Sequence, residues 1–200
     1  MKILIIGGRG TIGKKVSERL SFKHEVLTAG RTSGDLRVDI GDSRSIGKMF
    51  EASGKIDALV CVAGQAKWEK FEKMSEEDYY IGIRSKMMGQ VNLVRMGCDF
   101  INDGGSITLT TGILADEPVL HTTGAALVNG AIHSFVRAAH QELPRSIRLN
   151  VVVPGLVEDS EEALGDLLPG YNPVSMDRVV NGYVRSVEGG LTGQVIRVFV

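Results

Sequence analysis

Gly7, Gly10 and Gly13 stand at GxxGxxG spacing, directly after the apolar run Ile3-Leu4-Ile5-Ile6 and directly before Ile12, Val16 and Leu20, which recur at helical intervals. A strand, a glycine turn and a helix in that order make the context in which such spacing signals a dinucleotide site. Glycines let the backbone bend tightly and approach a pyrophosphate. The free N–H groups of Thr11, Ile12 and Gly13 and the positive end of the helix dipole attract its charge. Spacing alone would also fit a glycine-rich turn that holds no ligand.

A second set of residues bears on which dinucleotide is held. The next strand ends in Thr28-Ala29-Gly30-Arg31-Thr32, and in a fold of this type that end faces the adenosine ribose. An acid there selects NAD, and a base accommodates the 2′-phosphate of NADP. No acid is present and Arg31 takes the phosphate-selecting place, so NADP is expected and NAD less so. Arg9, inside the glycine turn, is either a second cation for that phosphate or a solvated surface arginine. Asp39 either meets the adenine or is an ordinary acidic turn residue.

These residues need a scaffold that brings strand ends together. Short apolar runs alternate with stretches of helical period, the order that predicts a parallel sheet with crossover helices. Expected strands are Ile3 to Ile6, Glu25 to Thr28, Leu36 to Val38, Ala58 to Val62, Ser106 to Leu109, Arg148 to Val153 and Gln194 to Val200. Helical spacing appears through Ile83, Met87, Val91 and Val94, and again through Met176, Val179, Val180, Tyr183, Val184 and Val187. From Ala125 to Ala139 the chain is apolar nearly all round, which predicts a helix buried on more than one side. The fold class is α/β: a doubly wound (Rossmann) seven-stranded parallel sheet with helices on both faces, forming one domain over residues 1–200.

Composition narrows the partners. With 23 basic against 24 acidic residues, nothing suggests a nucleic-acid or membrane surface, so small molecules and copies of the same chain are expected. The basic-aromatic patch Lys67 to Lys73 is neutralised by Glu69, Glu72, Glu76, Glu77 and Asp78 and reads as an amphipathic or mobile segment at a pocket rim. Cys61 and Cys98 form no CxxC pair, which fits a reducing, cytoplasmic setting. No His, Cys, Asp or Glu cluster has metal-ligand spacing.

With these motifs in place, the chain resembles the short-chain dehydrogenase/reductase family from Ile3 to Val200. Ile56 to Gly64 is similar to the family's fourth strand and its Asn-Asn-Ala-Gly turn, with Cys61 and Val62 in place of both asparagines and with Ala63-Gly64 retained. Arg148 to Gly155 is similar to its sixth strand and to the Pro-Gly turn beside the nicotinamide, here Pro154-Gly155. The glycine spacing resembles the family's extended and atypical branches.

The resemblance implies a catalytic tyrosine, a lysine four residues later, a serine and an asparagine. Hydride transfer leaves charge on a carbonyl oxygen, so a matched acid is required. None of the four tyrosines is followed four positions on by lysine. By alignment of the motifs the tyrosine place falls on Ala125, the lysine place on Asn129, the serine place on or beside Thr111, and the asparagine place on Lys86. The pattern resembles a small divergent bacterial subgroup that keeps the fold and nucleotide turn without the standard catalytic residues.

Lysine and asparagine are thus exchanged between two helices, which would keep a cation in the pocket. On that reading Thr111, or His121 in the loop before the apolar helix, is the acid and Lys86 orients it or stabilises the oxyanion, with Asn129 opposite. On the other reading Lys86 reaches solvent or a phosphate, and Asn129 hydrogen-bonds within a disused site. His133 and His140 read as packing or surface residues. The acidic stretch from Leu156 to Pro173 lies where the family closes over substrate.

The expected function is an NADP-dependent oxidoreductase acting on a small carbonyl or alcohol with an altered catalytic set. The alternatives are a non-catalytic dinucleotide-binding redox sensor and a subunit serving assembly alone. The resemblance also implies a homodimer or homotetramer through the helices near Val91 and Ile132 or through the last strand.

Overall fold

The structure, a computed structural model, describes residues 1–199, so the expected strand end at Val200 lies outside the described residues. Seven strands form, β1 (Lys2–Ile6), β2 (Glu25–Gly30), β3 (Leu36–Arg37), β4 (Ile56–Cys61), β5 (Ile101–Thr110), β6 (Arg148–Pro154) and β7 (Val195–Val198). They pair in parallel in the order β3-β2-β1-β4-β5-β6-β7. This is the doubly wound arrangement, in which the strand order reverses beside β1 and a crevice opens at the carboxyl ends of the strands.

The short apolar runs follow from burial on both faces. In β1 the side chains alternate. Ile3 and Ile5 join Val16 and Leu20 of α1 (Thr11–Ser21) and Val179, Tyr183 and Val187 of the last long helix, Met176–Glu188, in one core. Leu4 and Ile6 join the opposite core with Ile46, Met49 and Phe50 of α2 (Ser43–Ser53).

The helical period from Ile83 to Val94 predicts one helix, and the structure divides it into two pieces preceded by a further helix. Helix α3 (Glu76–Gly82) opens at Ser75, whose hydroxyl accepts the Asp78 N–H while the Asp78 carboxylate accepts the Ser75 N–H. This reciprocal cap satisfies two otherwise free donors. A π-helical turn at Ile83–Met87 follows, and then α4 (Met88–Gly97).

Helix α5 (Thr123–Ala139) corrects another expectation. It buries Ala125, Val128, Asn129, Ile132, His133 and Val136, a single face, and leaves Leu127 47% exposed. Its apparent apolar girth comes from Ala126, Gly130, Ala131 and Ala138, small residues that remain partly or fully open to solvent.

After β6 the chain forms a short cover containing α6 (Glu161–Leu164) before α7 (Met176–Glu188). The cover is pinned at its base: the Glu158 N–H donates to the Val174 carbonyl, and the Val174 N–H donates to the Leu156 carbonyl. The Glu158 carboxylate accepts the Met176 N–H at 2.8 Å, so this acid caps α7. Among the described residues no helix is long and apolar enough to cross a membrane.

Candidate functional site

The turn after β1 is sterically restricted to glycine at two places. Gly7 has φ +78°, and a Cβ there would stand 2.5 Å from the Val62 carbonyl oxygen. A Cβ on Gly13 would be driven into the Gly7 carbonyl oxygen, so α1 can pack this closely on the turn only with glycine at that position. The Gly10 N–H donates to Gly7 and the Lys14 N–H to Gly10, while among the described residues the amides of Thr11, Ile12 and Gly13 have no backbone acceptor. Helix α1 carries no side-chain cap and no acid in its first turn. Free amides at an uncapped, acid-free helix start form an anion site.

A groove runs from that turn along the strand ends, lined by Gly7, Arg9, Gly10, Arg31, Asp39, Ala63 and Gly64 among the expected residues. Thr11 and Gly13, also expected to hold the cofactor, do not line it. Sequence reasoning missed Ser33, Val38, Ile40, Gln65 and Ser85, which also line it and carry no motif. Asp35 is the nearest acid in sequence to the end of β2, but its carboxylate accepts both the Thr28 N–H and hydroxyl at 2.8 Å. Those hydrogen bonds, with help from Arg9, hold its pKa below the usual range. It braces the β2–β3 turn and does not line the groove.

Gly64 and Gln65 also line a second cavity, of about 390 Å³, together with Ile12, Pro154 and Gly155. That volume is in the range of small-ligand pockets. Its walls are largely apolar, with Trp68, Ile113, Leu114, Leu156 and Leu168 prominent, and its polar groups are few: Lys86, Thr111 and Asn129 stand out. Three of the four expected catalytic candidates are therefore brought together. His121 is not among them. It sits at φ +69° in an exposed loop and faces outward depressions lined by Leu120, Asp166 and Phe71.

The π-helical turn explains how Lys86 reaches the cavity. It presents Ser85 to the groove, where the hydroxyl accepts the Gln65 N–H at 3.2 Å, and Lys86 to the cavity. Single π turns are often found at functional sites because they re-aim side chains. Gly64, at φ +129°, leaves room for the Lys86 stem: a Cβ there would lie 2.7 Å from its Cγ. Among the described residues Lys86 makes no hydrogen bond or ion pair, and burial lowers its pKa to about 8. The Asn129 amide donates weakly to the Gly112 carbonyl at 3.4 Å, and its buried Oδ1 has no partner.

Thr110 and Thr111 divide their tasks. Buried Gln90 of α4 clasps both backbone groups of Thr110 at 2.9 Å, and the Thr110 hydroxyl donates to the Cys61 carbonyl. That fixes the end of β5. The Thr111 hydroxyl lies 2.8 Å from Nε2 of His133, and both residues are buried. The sequence reads His133 as a packing or surface residue, and it is buried; its contact with Thr111 goes beyond that reading. The missed signal was its position four residues after Asn129 and eight after Ala125, on the same face of α5.

Three comparisons bear on this geometry. A family model described as "Enoyl-(Acyl carrier protein) reductase" matches residues 13–167. The chain belongs to the short-chain dehydrogenase/reductase family. Protein lin1944 from Listeria innocua is 44% identical over the full length of both chains, with a TM-score of 0.98. A small-chain dehydrogenase solved in complex with NADPH is 28% identical, with a TM-score of 0.88 over 99% of this chain and 96% of that one. Glucose and ribitol dehydrogenase homolog 2 of Arabidopsis thaliana is 29% identical over 74% of this chain and 54% of its own length. The chain spans about half the length of the curated relatives it matches.

Within the short-chain dehydrogenase/reductase frame, none of the tyrosines lines the cavity. The Tyr183 hydroxyl is buried against Thr110 at 2.9 Å, and burial raises its pKa. Tyr79 pairs with Thr123, Tyr171 donates to the Glu117 carbonyl, and Tyr80 lies under the Arg84 guanidinium. Ala125 and Asn129, where the resemblance led the family's tyrosine and lysine to be expected, both line the cavity.

Proposed function

We propose that the protein is an NADPH-dependent reductase of small, largely apolar aldehydes or ketones. The observation that carries this reading is the convergence of Lys86 and Thr111 in an apolar cavity that shares Gly64 and Gln65 with the dinucleotide groove. The groove fits the cofactor by its free α1 amides for the pyrophosphate and by Arg31 and Arg9 for a 2′-phosphate, and in the adjoining cavity the orphaned Asn129 Oδ1 offers an acceptor for a ribose hydroxyl. The likeness to a relative in complex with NADPH supports the same choice.

When bound, NADPH supplies the hydride. The chain's own residues do the rest. The Thr111 hydroxyl donates its proton to the carbonyl oxygen, and the Lys86 ammonium compensates the charge that develops there. Leu156, Leu164 and Leu168 of the cover exclude water, which strengthens both interactions. Single-turnover loss of NADPH absorbance with benzaldehyde, cyclohexanone and a wider panel of small carbonyls tests the reading. Oxidation of NADPH by one or more of them is expected, whereas tight NADPH binding without turnover would leave a redox sensor as the better description.

We also propose that copies of the chain pair through α4 and α5 as a homodimer or homotetramer. These helices pack on each other and leave Met88 39% and Leu127 47% exposed.

A further inference from the structure

Thr111 is a weak acid with nothing behind it in the cavity to restore its proton, and His133 is placed to do so. Its Nε2 meets the Thr111 hydroxyl at 2.8 Å, and its ring does not line the cavity. Both side chains are nearly inaccessible, at 6% and 5% exposure, so water does not compete for the contact. The threonine is fixed by its own N–H, which donates to the Val152 carbonyl, and the histidine by α5.

We propose that His133 and Thr111 form a proton relay in which His133 acts through Thr111, taking the part of the missing tyrosine. The proposal rests on the reductase reading above. As hydride from NADPH bonds to the carbonyl carbon, the C=O π pair moves to oxygen and takes the Thr111 hydroxyl proton. The threonine oxygen takes the Nε2 proton of the His133 imidazolium, leaving neutral imidazole that is reprotonated from water between turnovers. The carbonyl is reduced to an alcohol and NADPH is oxidised to NADP+.

The surroundings set the pH at which the relay is charged. Asp116, after the turn Ile113–Ala115, favours the imidazolium, but Arg197 of β7 engages it at 2.6 Å. Arg197, Arg137 of α5 and Lys86 of the π turn oppose the charge, and burial opposes it most. The imidazole pKa is therefore below its usual 6.5, and the charged donor is lost as pH rises through that value.

The test is the pH dependence of kcat for NADPH oxidation by whichever panel carbonyl the wild type reduces. In the wild type kcat falls about tenfold per pH unit above a bend lying below pH 6.5. His133→Gln keeps a hydrogen-bonding partner for Thr111 but lowers kcat by roughly 100-fold at acid pH and abolishes the bend, with KM little changed. Thr111→Ser retains the bend, and Thr111→Val loses turnover. A wild-type bend that persists in a folded, active His133→Gln protein overturns the relay and leaves the reductase reading standing. Failure of every carbonyl to oxidise bound NADPH overturns both. Nitrogen-15 imidazole spectra read the same proton without turnover: a His133 titration midpoint that coincides with the wild-type bend supports the relay, and one more than about a pH unit away overturns it.

Discussion

The stem of Lys86 lies across the backbone of Gly64, so close that a Cβ on Gly64 would stand 2.9 Å from the Lys86 Cα and 2.7 Å from its Cγ. The strand-end turn and the π-helical turn are thus fitted to one another, and the cation enters the cavity because the glycine yields the space. Gly64→Ala is expected to cost about 1–3 kcal/mol of stability, from the strained φ together with the clash. Thermal denaturation reads the loss. Turnover of the panel carbonyl should fall further than stability does, since the displaced residue is the cavity's cation.

Lys86 itself is held at a cost. Burial lowers its pKa from 10.5 to about 8, so the unfolded chain binds the extra proton more readily between those values. Stability of the wild type contributed by this group therefore rises from pH 8 to 10.5. Lys86→Met is expected to be more stable than the wild type at pH 7, with the difference shrinking toward pH 10.5, and to lose most of its turnover. Chemical denaturation at several pH values checks the sign. A less stable Lys86→Met at pH 7 would show that the ammonium is paired.

Gly13→Ala tests the turn without touching any charge. Its Cβ would meet the Gly7 carbonyl oxygen, which forces α1 away from the turn and spreads the three free amides. Dinucleotide affinity should drop at least about tenfold by calorimetry, equivalent to ~1.4 kcal/mol.

Arg31→Asp exchanges the groove's cation for the acid that selects NAD. The preference between NADPH and NADH should reverse in calorimetric titration, because a carboxylate repels a 2′-phosphate and accepts from a 2′-hydroxyl.

Assembly is checked with Leu127→Asp, which puts a charge on the open face of α5. Light scattering should report a shift toward monomer with the fold retained by circular dichroism.

All seven strands were legible as short apolar runs because a parallel sheet covered on both faces leaves no polar alternation to confuse them, except that β5 starts at Ile101 and not at Ser106, through polar residues such a pattern does not mark. The glycine turn was legible because its steric demands allow one residue type. Lys86, Thr111 and Asn129 were placed by family resemblance, and the fold brings them to one cavity. What escaped was nonlocal or concealed by composition. Thr111 and His133 are 22 positions apart and meet only when β5 and α5 pack. The small residues of α5 counted as apolar in the sequence yet bury little. The start of α3 was available in the Ser75-x-x-Asp78 cap, but the π turn that aims Lys86 leaves no mark in an apolar period.

The most direct test of the central claim is calorimetric titration of the wild-type protein with NADPH and with NADH under the same conditions. Free amides at the start of α1 together with Arg31 predict saturable NADPH binding at least about tenfold tighter than NADH. Equal affinity for the two, or no heat from either at millimolar concentration, would contradict it.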